Sequence, residues 1–285
     1  MIYGQVLVDG LIVGLIFALV AMGLSLIYGV MNIVNFAHGE FMMLAMYFCF
    51  FLWILAGIDP LLSTPIAAVL MYFVGVAVYR VLIRQVLQAT MVAQIFATFG
   101  LLLFMQASAH FLWKSDARTI PQSWVSGQFQ LGGLFFNGPE VVAGAGALMT
   151  AAALYWFIHR TETGLALQAV AEDAQAARLM GIDSDRVFGI AWGVSCAAVA
   201  IGGGLLSTYY AITPLSGARW ALPAFVAVAI GGFGSISGAF LGGLIIGVVQ
   251  TAGGFFTSPN YKHLFVFALY LLVVFWRPYG LLGRR

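Results

Sequence analysis

RTETGLALQAVAEDAQAARLMGIDSDR, residues 160–186, is a polar, charge-rich island in a chain that is otherwise almost continuously apolar. Within it, Leu165 to Met180 is rich in Ala, Leu and Gln, which favour helix, and predicts one helix. Gly181 follows as the C′ residue, where a left-handed backbone ends a helix. A water-soluble helix set between two hydrophobic runs has an outside task, most simply the docking of another protein.

Outward from the island the composition decides the class. Hydrophobic residues make up 62% of the 285 residues, charged residues 8%, and the mean hydropathy is +1.01. A soluble domain carries roughly 25% charge, so this chain lacks the means to cover a water-facing surface. The apolar runs are continuous and of helix length, without β-barrel alternation. The fold class is therefore all-α: a polytopic transmembrane helical bundle forming a single domain over 1–285, with the island as its cytoplasmic helix. Apolar segments fall at roughly 10–30, 41–56, 62–82, 92–113, 139–158, 187–211, 221–232, 238–256 and 263–277. The run at 221–232 is short, so eight and nine spans both remain open. The first basic residue is Arg80, so no positive n-region marks a signal peptide, and residues 1–9 are expected to be retained.

Basic residues orient the bundle. With the island in the cytoplasm, Arg80, Arg84, Arg160, Arg178, Arg186, Arg277, Arg284 and Arg285 fall inside; Lys114, Arg118, Arg219 and Lys262 fall outside. The C-terminus is then cytoplasmic, and the N-terminus lies outside with nine spans or inside with eight. The longest outer segment, 114–138, holds Trp113 at its edge and Trp124, Phe129, Phe135 and Phe136. It reads as an interfacial loop with aromatic anchors or as a docking surface. Cys49 and Cys196 lie within apolar runs, where reduced packing is the default, and suggest neither disulfide nor metal site. A net charge of +2 is too small to argue for nucleic acid.

Two polar knots interrupt the apolar runs. Asn32-Ile33-Val34-Asn35-Phe36-Ala37-His38-Gly39-Glu40 joins the first two runs without an ordinary loop. In one reading Asn35 is the N-cap of the next helix and Glu40 sits in its first turn, favoured by the dipole. In the other, a discontinuous helix sets Asn32, Asn35, His38 and Glu40 beside a water-filled pathway, since polar groups at membrane depth usually face cavities or partners. The second knot carries Gly231, Gly232, Gly234 and Gly238, and is either a hairpin between helices or a flexible element on the pathway. Small residues also recur at four-residue spacing, as in Gly10, Gly14 and Ala18, or Gly243 and Gly247. Such ladders allow close helix approach, within the chain or against a second subunit.

Catalytic constellations are missing. His38, His110, His159 and His263 are scattered at run ends, and no H-E-x-x-H or paired-Cys pattern occurs. A P-loop needs lysine after glycine, whereas Lys114 follows Trp113 and Lys262 follows Tyr261. If ATP drives this protein, another chain binds it, and the island is the lever on which that chain pushes.

Four stretches carry a resemblance: GLIVGLIFALVAMGLSLIYGVMNIVNFAHGEFMML at 10–44, GLALQAVAEDAQAARLMGIDSDRVF at 164–188, AIGGFGSISGAFLGGLIIG at 229–247, and RPYGLLG at 277–283. In this order they resemble the permease subunits of branched-chain amino acid ABC importers, the H-type member of the usual pair. The resemblance implies a heterodimer with a second permease, two cytoplasmic ATPases that bind the ATP, and an external binding protein. It implies no cofactor in this chain and no enzymatic activity. It implies a location in the inner membrane of a prokaryote. The coupling region would comprise Ala171, Glu172, Asp173, Ala177, Arg178 and Gly181; the pathway would take Asn32, Asn35, His38, Glu40, Gly231, Gly232 and Gly234. Urea or short amides are an alternative cargo for the same architecture. A stand-alone secondary carrier is less compatible, because acids within the runs are essentially absent.

Overall fold

In the computed structural model, which describes residues 2–121 and 123–283, the apolar runs become helices. The first, α1 (Ile2–Met31), is 30 residues long, about 45 Å at 1.5 Å per residue. It is followed by α2 (His38–Ala56), α3 (Pro60–Val86) and α4 (Met91–Trp113). A hairpin of β1 (Gln128–Leu131) and β2 (Leu134–Asn137) precedes α5 (Gly138–Arg160). The island forms α6 (Glu162–Glu172) and α7 (Ala174–Leu179). Then come α8 (Ser184–Leu206), α9 (Ser216–Gly231), α10 (Ile236–Phe256) and, after a 3-10 turn at Pro259–Tyr261, α11 (Lys262–Trp276). Among the described residues eight helical stretches are long and apolar enough to cross a membrane, and α9 is a shorter apolar helix of 16 residues. The short run expected at 221–232 is thus a helix in its own right, extended back to Ser216 and carrying Pro223 inside it.

Local chemistry sets the ends. Gly57, with φ 64°, closes α2. Asp59 caps α3 by accepting from Leu61 N at 2.9 Å, with Pro60 at N1, where a missing N–H is harmless. Asp59 also accepts from Trp124 N at 2.7 Å and so fastens the outer loop to the start of α3. That loop is more ordered than its aromatic content suggested. Gly132 and Gly133, with φ 59° and 82°, make a two-residue hairpin turn, and Phe135 exchanges two backbone hydrogen bonds with the Gln5 amide on α1.

Small residues build the core. A Cβ at Gly243 would overlap Ala18, and one at Gly247 would overlap Gly14, so α1 and α10 meet almost backbone to backbone. The ladder foreseen at Gly10, Gly14 and Ala18 is this seam, used within the chain. Lipid supplies no hydrophobic drive for helix association, so close packing carries the stabilisation. On the other side of the bundle α3 lies on α8, with Gly75 against Cys196 and Gly204 against Thr64. Both cysteines are buried and free.

Candidate functional site: a buried polar knot and a cavity under the island

The first knot begins where α1 stops. Asn32 takes φ 55°, a left-handed conformation that Asn tolerates better than most residues, and the chain turns back along α1 without helix until His38. The His38 ring then meets the Val20 carbonyl at 3.1 Å. Val20 lies 11 residues before Met31, about 16 Å of helix, so α2 starts deep inside the bundle rather than at its surface. A carbonyl only accepts, so Nε2 carries the proton and donates. Close by, Ser195 Oγ donates to Gly23 O at 2.6 Å.

Asn35 is not the N-cap of α2. Ala37 occupies that position without a side-chain cap, and Asn35 Oδ1 instead accepts from Ala37 N at 3.1 Å, an Asx-type turn. Glu40 does fall in the first turn, as foreseen. Its Oε1 accepts from Gln106 Nε2 of α4 at 2.9 Å. Asn35, His38 and Glu40 are all at most 1% exposed, and Asn35 Nδ2, His38 Nδ1 and Glu40 Oε2 have no partner. Unpaired polar atoms at such depth are costly. Gly39 lets the knot approach α9: a side chain there would collide with the Gly217 carbonyl. Phe36 stacks on Phe225 of α9 at 5.4 Å, and Thr98 of α4 donates to Val34 O at 3.0 Å.

The second knot is a tight hairpin. Gly232 and Gly234 have φ 107° and 78°, and Ser235 caps α10 by accepting from Gly238 N at 3.1 Å. Leu281 N and Leu282 N donate to Ile230 O and Gly231 O at 2.7 and 2.9 Å, so the segment after α11 lies over the end of α9. Gly231 and Gly232 are buried beneath it, while Gly234 packs on Gly29 of α1 and is exposed.

The island is two helices, not one. Asp173, with φ −154° and ψ 104°, leaves the helical region and caps α7, accepting from Gln175 N at 2.8 Å and Ala176 N at 3.0 Å. The donors at Ala176 and Gln175 hold its carboxyl below the ordinary carboxylate range. Thr161 caps α6. At the far end Gly181 has φ 85°, Gly181 N donates to Arg178 O and Ile182 N to Ala177 O, each at 3.0 Å; this pair of bonds is a Schellman motif. Ala171, Glu172, Asp173, Arg178 and Gly181 are exposed, whereas Ala177 is 5% exposed and packs inward. Ala177 therefore lies beneath the exposed residues of the island. Leu179 and Met180, which the helix pattern did not single out, stand 89% and 83% exposed at the tip.

A cavity of about 400 Å³ joins these pieces. Its walls include Asn32 and Gly29 of the first knot region, Gly234 and Ser237 of the second, and Ala171 and Glu172 of α6. Asn35, His38, Glu40, Gly231 and Gly232 do not line it. The predicted pathway residues thus divide between this cavity and the buried start of α2. Of the basic residues assigned inside, Arg84 pairs with Asp185 at 3.1 Å beside the island, while Arg284 and Arg285 lie outside the described residues.

A bundle of apolar helices with a discontinuous helix start and an exposed two-helix island is the architecture of a multi-pass membrane protein. The chain belongs to the family described as branched-chain amino acid transport system, permease component, whose sequence model matches residues 6–274. It is a permease and not an enzyme. It is similar to the "High-affinity branched-chain amino acid transport system permease protein BraD" of Pseudomonas aeruginosa, 31% identical over 99% of this chain and 96% of that protein. It is equally similar, at 31% over 98% and 95%, to the permease protein LivH of Escherichia coli K12. A "Fructose import permease protein FrcC" of Rhizobium meliloti is 27% identical over 51% of this chain and 42% of its own length. No solved structure matches.

Proposed function

We propose that this chain forms a single permease domain of an ATP-driven importer and passes branched-chain, aliphatic amino acids across the inner membrane. The observation that carries this reading is end-to-end similarity to permeases named for that transport, together with an exposed two-helix island over a cavity at one end of the bundle. In this reading a second permease stands beside the chain, the pair sits on two ATPases that bind the ATP, one of them docked on α6 and α7, and an external binding protein delivers the cargo. The island and the C-terminus face the cytoplasm. If the shorter α9 crosses with the eight longer stretches found among the described residues, the N-terminus faces outward.

ATP-driven closure of the ATPases pushes the island through Glu172, Asp173, Arg178 and the apolar tip. The push reaches α1, on which α6 packs directly, and changes the cavity that Asn32 and Gly234 line with Ala171 and Glu172. Asn35, His38 and Glu40 act at the start of α2, where the discontinuous helix meets α9; they are buried in this state, and a shift of α2 against α9 opens their unpaired atoms to the passing amino acid. A ligand shifts such an equilibrium only by binding its two states unequally; ATP and the loaded binding protein do so here, and the permease itself binds the cargo weakly. The test is uptake of labelled leucine, with labelled urea as control, in cells deleted for the chain and complemented with it. Leucine uptake that returns with the chain and stops on ATP depletion is expected. Restoration of urea uptake alone, or leucine uptake indifferent to ATP, overturns the reading.

A further inference from the structure

A second cavity, of about 230 Å³, opens between α1, α9, α10 and α11, at the other end of these helices from the cavity under the island. Its lining contains two cations, Arg219 and Lys262, and no acid. Neither cation forms an ion pair among the described residues. Arg219 is held against Tyr210, donating to its hydroxyl at 3.1 Å and lying 5.7 Å from its ring centroid. Tyr210 in turn meets the Trp220 ring edge-on at 5.5 Å, and Trp220 packs on Phe17 at 5.1 Å. One wall is therefore aromatic and apolar, and fixed.

The deep end of the cavity is polar without reason of its own. Gln250 is 8% exposed, Trp220 6%, and both Gln250 Oε1 and Trp220 Nε1 are buried with no hydrogen-bond partner. An amide buried between membrane helices costs free energy unless something pairs with it, and rotation of the terminal amide of Gln250, a soft torsion, brings Oε1 to the cavity that this side chain lines. Two uncompensated cations at the mouth, an unpaired acceptor beneath them and an apolar wall together describe the outline of a small zwitterion.

We propose that this vestibule binds an aliphatic α-amino acid, with Arg219 and Lys262 taking the carboxylate, Gln250 Oε1 taking the ammonium, and Val13, Phe17 and Trp220 facing the side chain. It rests on the cargo class proposed above and adds a site where that cargo is held on the outer side, before it reaches the start of α2. Cations at the mouth also concentrate an anionic group there.

The test uses the assembled transporter in membranes, with a single cysteine placed in the vestibule. Gly254→Cys suits it, since a Cβ there meets its nearest neighbour, Lys262 Cβ, at an ordinary 3.5 Å; Thr251→Cys is the second choice should the first fail to assemble. The native Cys49 and Cys196 are buried and leave a low background. Impermeant thiosulfonates, one anionic and one cationic, are applied from outside. The anionic reagent is expected to react roughly tenfold faster than its intrinsic rate predicts, the lower end of electrostatic steering. The preference should vanish in Arg219→Gln/Lys262→Gln. Leucine should slow labelling, and leucinol, which lacks the carboxylate, should not. Equal rates for the two reagents, equal protection by leucine and leucinol, or protection by the external binding protein but not by leucine, each overturns the proposal. Uptake of labelled leucine by the same membranes separates the two readings. Uptake without protection removes the vestibule alone; protection without uptake leaves the vestibule standing and removes the transport reading.

Discussion

The knot at 32–40 and the island at 160–186 are both polar interruptions of an apolar chain, yet they are opposites in structure. In the island, water and helix-end chemistry account for the polar residues: Thr161 and Asp173 cap the two helices, and Gly181 completes a Schellman turn. In the knot, Asn35, His38 and Glu40 are buried, and each keeps one polar atom without a partner. Polarity that satisfies itself is ordinary loop chemistry. Polarity left unsatisfied at depth marks a place where something else must arrive, either a cargo or a rearranged helix.

The sharpest way to break this contrast is to fill the space the knot depends on. Gly39→Val drives a side chain into the Gly217 backbone, an overpacking cost of about 3 kcal/mol, and should abolish both membrane yield and uptake; a normal size-exclusion profile would show that α9 yields easily. Next in size, Glu40→Gln keeps the shape and the reach to Gln106 while removing the ionisable carboxyl, and Asn35→Leu removes the turn and the unpaired amide nitrogen. Each should lower leucine uptake roughly tenfold, equivalent to about 1.4 kcal/mol, at near-normal yield. Yield falling in step with uptake makes the knot merely structural.

On the island the expected losses are of partnership, not of fold. Glu172→Lys/Asp173→Asn, in which Asn keeps the cap of α7, should insert normally and lose co-purifying ATPase, as should, more mildly, Leu179→Ser/Met180→Ser; full retention of ATPase in both removes the docking role. The smallest effect is on pH. Because the Asp173 carboxyl is held low, its contribution to α7 is complete above the ordinary carboxylate value and fades only as pH falls through the depressed one. Exchange of the Gln175 and Ala176 amides should stay slow to below the usual Asp range, and early fraying near pH 4 would show that the cap contributes little.

The spans were legible because helix-length apolar runs leave no other choice in lipid. Five features were not. The island reads as one helix because Ala, Leu and Gln continue on both sides of Asp173, and nothing local announces that its carboxylate will cap the second half. Asn35 has the chemistry of an N-cap, but its oxygen reaches Ala37 N first, so the helix starts three residues later. The outer hairpin is signalled only by Gly132-Gly133, which is easily missed among aromatic residues. The depth of the knot is a tertiary fact: no pattern in 32–40 says that His38 will lie beside Val20. The vestibule is similarly silent, since Arg219, Gln250 and Lys262 come from three helices.

The seam between α1 and α10 has a consequence for biogenesis. Met31 and Ile236 are separated by roughly 200 residues of chain, which a ribosome takes on the order of 10–40 s to make. For that interval α1 sits in the bilayer with the groove of Gly10, Gly14 and Ala18 filled only by acyl chains. The last sixth of translation is therefore the assembly step, and a ribosome stalled before Ile236 leaves an inserted protein whose first helix still lacks its mate.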